Sequence, residues 1–222
     1  MEKRLPLIHR VYGAIFKIWR VKRFRLFVSK IRPKKTDRVL DIGGYPNTWI
    51  AQPPVVHSID SLNVHPVDWD PSQAPEHRIN IVTGDGCALE MDDKSYDIAF
   101  SNSVIEHVGE WDRQVAFAKE VRRVGKALWI QTPAKECPVE PHYLALFVHW
   151  LPKSVQRRVL RHFTLWGWIA RPSRTQIDEM VDTTRLLSKK EMKTLFPDCE
   201  IHTERLLGII PKSYVAFRIS GE

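Results

Sequence analysis

The apolar positions follow two rhythms. Short apolar runs bounded by Gly, Pro, Asp or Asn read as buried strands at 38–42, 55–60, 79–83, 96–101 and 127–131. Two further strand-like runs lie at 200–206 and 213–219. Between the fourth and fifth runs, 112–124 spaces Val115, Phe117, Val121 and Val124 for one buried helical face. Ser188-Lys189-Lys190-Glu191 forms a capping box, in which the Ser oxygen and the Glu carboxylate each satisfy a helix-end N–H. The helix it opens holds Met192, Leu195 and Phe196, and Pro197 ends it. At the start, Ile8, Val11, Tyr12, Ile15, Phe16, Ile18 and Trp19 recur at helical spacing. Strands alternating with helices predict an α/β fold, a mostly parallel sheet covered on both faces. Such sheets bind ligands beyond the carboxyl ends of their strands.

Charge changes this picture at two places. Residues 1–37 hold 12 Lys/Arg against Glu2 and Asp37, while the chain as a whole carries +8, so the body is nearly neutral and the excess sits on an N-terminal arm. A basic amphipathic helix of this kind suits an anionic membrane surface, nucleic acid, or a domain edge with a solvated basic back. The second place is 150–174. No acid stands between Glu140 and Asp178, and Lys153, Arg157, Arg158, Arg161, Arg171 and Arg174 alternate there with Trp150, Phe163, Trp166 and Trp168. This stretch reads as a lid, a headgroup-level surface or a base-stacking surface.

Composition bounds the rest. With 222 residues, 43% hydrophobic and 27% charged, the chain builds one core and a small lid. No apolar run reaches the roughly 20 residues of a membrane span, and Arg10, Lys17 and Arg20 break any signal-peptide core. Cys87, Cys137 and Cys199 are too few and too scattered for a disulfide framework or a zinc site. They suit a reducing, cytoplasmic setting. No His/Asp spacing suggests a metal.

The chemistry concentrates at the strand ends. The first strand closes as Val39-Leu40-Asp41-Ile42-Gly43-Gly44-Tyr45-Pro46. This is not the Gly-x-Gly-x-x-Gly dinucleotide pattern, and an acid before the glycines suits a ligand with a positive group. Asp60, nineteen positions on, ends the predicted second strand, where a carboxylate accepts ribose hydroxyls. Asp85, in Gly84-Asp85-Gly86, follows the third and can accept from an exocyclic amine.

These residues resemble the class I S-adenosylmethionine-dependent methyltransferases, in particular the type 11, small-molecule group. The match runs through Val-Leu-Asp-Ile-Gly-Gly at 39–44, His-Ser-Ile-Asp at 57–60, Gly-Asp-Gly at 84–86 and Tyr-Asp-Ile-Ala-Phe-Ser-Asn-Ser-Val-Ile-Glu-His-Val at 96–108. The resemblance implies a Rossmann-like, mostly parallel seven-stranded sheet and S-adenosyl-L-methionine as cofactor. It implies Asp41, Gly43 and Gly44 near the methionine part, Asp60 on the ribose, Asp85 and Gly86 facing the adenine, and Ser101 and Asn102 on the cofactor's far side. Tyr45 and Asn47 depart from the family's later loop glycines, and Pro53-Pro54 forces the following helix to be short. Thr132-Pro133 and Glu140-Pro141-His142 resemble a subgroup acting mostly on small molecules, lipids or sugars.

Methyl transfer from a sulfonium needs alignment and exclusion of water, and a hydroxyl acceptor also needs a base. His107 is the first candidate, with Glu140 and His142 facing the same mouth and Glu106 placed to orient His107 or to serve the structure. The chain then divides into a basic helical arm at 1–37, a cofactor-binding core at 38–135, a lid at 136–187 and a closing helix and strands at 188–222. The expected function is methyl transfer to a small-molecule acceptor, a hydroxyl oxygen on a lipid- or glycan-linked compound. Peripheral contact with an anionic membrane would run through 1–37 and 150–174. RNA methylation and a non-enzymatic interaction module are the alternatives.

Overall fold

The computed structural model describes residues 7–140 and 145–221, with side chains from Trp19 onward except that of Glu140. In chain order the elements are α1 (Leu7–Ile31), β1 (Arg38–Ile42), α2 (Asn47–Ile50), β2 (Ser58–Asn63), β3 (Ile79–Thr83), β4 (Tyr96–Asn102), α3 (Trp111–Val124) and β5 (Gly125–Pro133). They continue with β6 (Val139–Glu140), β7 (Ala145–Leu146), α4 (Lys153–Phe163), α5 (Leu165–Ala170), α6 (Arg174–Thr183), α7 (Lys189–Leu195), β8 (Glu200–Leu206) and β9 (Ile210–Arg218). Seven strands form one sheet in the order β3-β2-β1-β4-β5-β9-β8. The first five run parallel, while β9 returns antiparallel to β5 and β8 pairs antiparallel with β9.

Alternation along the strands supplies two cores. Leu40, Leu128, Ile130, Tyr214 and Ala216 face α3 and α7, meeting Phe117, Val121, Met192 and Leu195. Val39, Ile98, Phe100, Trp129 and Val215 face α1, meeting Phe24, Phe27 and Ile31. The N-terminal helix is therefore a structural wall of the domain in its C-terminal half. Its predicted apolar stripe lies outside the described side chains except for Trp19, which is half-buried with the Lys212 ammonium 3.6 Å from its ring centroid. The capping box at Ser188 forms as expected, with Glu191 returning to the Ser188 N–H at 2.8 Å.

Three expectations shift. The second strand runs Ser58–Asn63 rather than 55–60, because its register with β1 pairs Leu40 with Asp60 and carries the strand three residues further. On α3, Val115 is exposed and Gln114 is buried in its place. The Gln114 amide donates to the Ile105 and Arg185 carbonyls at 3.0 and 2.9 Å and accepts from Arg185 Nη1 at 2.6 Å, so a polar side chain fills an apolar slot. The last strand begins at Ile210 and ends at Arg218, because it pairs as a hairpin with β8.

The expected lid contains the β6–β7 pair and helices α4, α5 and α6, built around Ala145, Val148, Leu160, Ile177 and Val181. Arg157 ties α4 to α6 through Asp178 and Asp182. No helix among the described residues is long and apolar enough to cross a membrane.

Phe27 is fully buried, edge-on to Trp49, Phe100 and Trp129. Phe27→Ala is expected to cost about 3–5 kcal/mol in chemical denaturation. A detachable arm would give less than about 1 kcal/mol, the usual range for surface changes.

Candidate active site

A cavity of about 340 Å³ opens at the carboxyl ends of β1, β2 and β3, lined in part by Gly43, Asn63, Asp85, Gly86, His107 and Phe117. Its floor is the turn after β1. Gly43 has φ +73°, and a Cβ there would lie 2.6 Å from both Val104 methyls. A Cβ on Gly44 would lie 1.8 Å from the Asp41 carboxyl, so the turn passes over that group only without side chains. The Gly43 N–H donates to the Leu62 carbonyl at 2.7 Å. The Gly44 carbonyl accepts from Ser61 Oγ and Asn63 Nδ2, both at 2.7 Å, which locks the turn to β2.

Asp41 is buried beneath this turn. Its Oδ2 accepts from the Trp49 indole at 2.7 Å, and its Oδ1 has no hydrogen-bond partner. Burial pushes its carboxyl up to about 7, against the lowering effect of the Trp49 bond. Asp41 thus lies one layer under the cavity wall as a carboxyl of unsettled charge.

Asp60 does not reach the cavity. It sits mid-strand and accepts from Tyr96 Oη and Asn80 Nδ2 at 2.8 Å each, and from Arg38 Nη2 at 3.3 Å. Asn63, the last residue of β2, stands at the cavity instead. Its amide N–H₂ is engaged by Gly44, which leaves its carbonyl oxygen to accept one hydroxyl. A sequence signal for Asn63 existed only in the register of β2, which apolar patterning misplaced.

Asp85 borders the cavity after β3, and Gly86 lets Ile42 and Phe117 close against the backbone. Burial, which would raise the Asp85 carboxyl, is outweighed by the Cys87 N–H and the Arg113 guanidinium, and the group is held below the ordinary carboxylate range. Arg113 and Cys87 use three of the roughly four acceptor positions of a carboxylate. One remains for a ligand amine.

Ser101 is buried and spends its hydroxyl on the Ile42 carbonyl at 2.9 Å. Asn102 lines a second cavity of about 290 Å³ on the α1 side, together with Arg20, Arg23, Asn47 and Trp129. Neither arginine is a site candidate in the sequence, where both belong to the basic face of the N-terminal arm.

His107 is exposed beyond β4 and borders two cavities: the one just described and another of about 480 Å³ walled by Trp166, Pro172, Gln176 and Met180 of the α5–α6 region. Its Nδ1 lies 3.5 Å from Thr184 Oγ1. Glu106, by contrast, is buried and accepts from Thr132 Oγ1 at 2.9 Å. The Glu140 side chain and His142 lie outside the described residues.

Residues 54–127, about a third of the chain, match the family described as methyltransferase domain. The match and the seven-stranded sheet agree with the fold expected from the sequence. A search of curated proteins gave no match. Among solved structures, the chain is similar to a candidate sarcosine dimethylglycine methyltransferase from Galdieria sulphuraria, with 19% identity, TM-score 0.55 and 88% of this chain covered. The chain spans only 64% of that protein. It is similar to the N-methyltransferase NodS from Bradyrhizobium japonicum WM9, with 10% identity, TM-score 0.53 and coverages of 90% and 93%. A candidate zinc-dependent alcohol dehydrogenase from Rhodobacter sphaeroides gives TM-score 0.56 at 11% identity, with 86% of each chain covered. At such identities the likeness establishes the fold alone.

S-adenosylmethionine is the cofactor that the sequence resemblance implies. The cavity suits it on three counts. Leu62, Val108 and Phe117 offer an apolar wall for a purine, Asp85 and Asn63 keep acceptors for an amine and a hydroxyl, and a buried carboxyl with a spare oxygen underlies the glycine turn.

Two outcomes test this placement. Asn63→Ala is expected to weaken S-adenosylhomocysteine binding about tenfold, the worth of one good hydrogen bond. Asp60→Ala is expected to leave affinity nearly unchanged and to destabilise the fold by about 2–4 kcal/mol, because it strands buried partners. Titration calorimetry and thermal unfolding of both variants separate the cases. For Asp41 the sign is the reverse of an ordinary carboxylate. Its folded value lies above its unfolded one, so the stability it contributes is present at low pH and is lost as pH rises from about 4 to about 7. The unfolding free energy of Asp41→Asn relative to the native chain should therefore grow on the order of 2–4 kcal/mol between pH 4 and pH 8 in urea titrations.

Proposed function

We propose that the chain methylates a hydroxyl oxygen of a small molecule held under the α5–α6 lid. The observation that carries this reading is His107, which borders both the cofactor cavity and the lid cavity. When bound, S-adenosylmethionine supplies a methyl group already activated on a sulfonium. What the chain must add is alignment, a dry cavity and a base for the acceptor proton. An acceptor hydroxyl entering from the lid cavity would meet His107 first. The imidazole would take the acceptor's hydroxyl proton, and Thr184, close to Nδ1, would orient the ring. Glu140 and His142 join His107 in this proposal on sequence grounds. Trp166 and Met180 give the lid cavity an apolar wall for the body of the acceptor.

A lipid- or glycan-linked acceptor at an anionic membrane fits the outer surface of the lid. Phe163 and Trp168 are exposed at 74% and 64%, and Arg158, Arg161, Arg171 and Arg174 of the same stretch are exposed as well. Aromatic rings beside unshielded arginines suit a headgroup region.

The test is transfer of a tritiated methyl from S-adenosylmethionine into a cell extract that is then fractionated. Label is expected in the organic-extractable and small-molecule fractions, and label in RNA would contradict the reading. His107→Gln is expected to lower incorporation about 100-fold, the usual worth of a general base, while cofactor affinity stays unchanged.

A further inference from the structure

Trp49 lies on the four-residue helix α2, between the glycine turn and Pro53-Pro54. Its ring is 2% exposed and is held on three sides by aromatic rings. Phe24 and Phe27 of α1 stand edge-on to it with centroids 6.2 and 6.1 Å away, and Phe100 of β4 is tilted against it at 5.0 Å. Such contacts fix an indole in plane and direction. The direction matters because, among the described residues, the indole N–H makes the one hydrogen bond to the Asp41 carboxyl, at 2.7 Å.

We infer that Trp49 is a positioning residue for cofactor binding: clamped by α1, its indole N–H holds the Asp41 carboxylate beneath Gly44 as the counter-charge for a bound cation. The N-terminal helix is then part of the cofactor site without bordering the cavity that receives the cofactor. The inference rests on the assignment of that cavity to S-adenosylmethionine.

The surroundings leave this role to Trp49. β2 places Ser61 beside Asp41 and β4 places Phe100 there. The turn above contributes Gly44, and the second Asp41 oxygen has no partner. The cations that α1 turns toward this region are Arg20 and Arg23, which line the neighbouring cavity, with Arg23 paired to Glu204 at 2.7 Å. No carboxylate or amine among the described side chains of α1, α2, β2 or β4 is hydrogen-bonded to Asp41. Burial favours its neutral form and the Trp49 bond favours the charged one. A cation bound above the turn adds to the Trp49 side of that balance, so binding expels a proton and affinity rises with pH through neutrality.

The experiment measures S-adenosylmethionine affinity by calorimetry from pH 6 to pH 9 for the native chain and for Trp49→Phe, which keeps an aromatic ring and loses the N–H. For the native chain the expected rise is about tenfold between pH 6 and pH 8, as for one coupled proton. It should be steeper for S-adenosylmethionine, which carries a sulfonium, than for S-adenosylhomocysteine, which carries a thioether. In Trp49→Phe the rising limb should move up by about one pH unit, so that the loss is several-fold at pH 7 and small at pH 9. A loss of constant size at every pH marks a packing role only and overturns the inference. Should the variant not fold, the Trp49 indole N–H resonance of the native chain decides. It should titrate near pH 7 in the free protein and at lower pH with cofactor bound, and an indole signal flat across that range overturns the inference. A native chain that binds neither compound at any pH overturns the cofactor assignment itself, a result distinct from parallel profiles.

Discussion

A carboxyl group buried beneath a glycine turn, with one hydrogen bond to satisfy it, is the constraint around which this molecule is arranged. Asp41 occupies the middle strand region of a seven-stranded sheet, where water is excluded and the charged form is costly. The turn above it must be Gly43-Gly44, since either Cβ would collide with Val104 or with the carboxyl itself. The helix beside it must place an indole N–H at Oδ2, and that indole must be held by something. The aromatic stripe of α1 does the holding. An N-terminal helix that composition presents as a basic arm thus becomes a wall of the domain through Phe24 and Phe27.

Polar side chains that would look out of place on a buried strand serve the same end. Ser61 and Asn63 both donate to the Gly44 carbonyl, and the Gly43 N–H goes to Leu62, so the turn is fastened to β2 at three points. The carboxyl of Asp60 is spent on Tyr96, Asn80 and Arg38 and stabilises the sheet. Function and structure therefore divide along one strand, three residues apart. The lid makes a similar division. Its inner residues pack on one another, while one wall faces the cavity that meets His107.

Much of this was legible in the sequence where punctuation was unambiguous. Arg38–Ile42 and Ile79–Thr83 are bounded by turn residues on both sides and fall where the pattern puts them. The shortness of α2 follows from Pro53-Pro54, and the capping box at Ser188 fixes the start of α7. The pattern failed where polar groups are buried with partners from distant sequence. Ser61 and Asn63 interrupt the apolar run, so the pattern ends the second strand at Asp60, whereas the strand continues to Asn63. The burial of Gln114 has no sequence signal, because its partners, Ile105 and Arg185, meet it only in the folded chain. Trp49 carries no sequence signal at all, since nothing local marks an indole N–H as the partner of a carboxyl eight residues back. Hydrophobic periodicity records which surfaces are dry. It does not record which dry polar groups are paired.

The central claim is that cofactor binding is organised by the turn over Asp41 and by the ends of β2 and β3. Amide shift mapping on isotope-labelled protein, with and without saturating S-adenosylmethionine, tests it most directly. The account predicts that the largest changes fall at Gly43, Asn63, Asp85, Gly86 and Ser103, with the Trp49 indole moving as well. Changes centred on Arg20, Arg23 and Asn102, with the glycine turn silent, would contradict it.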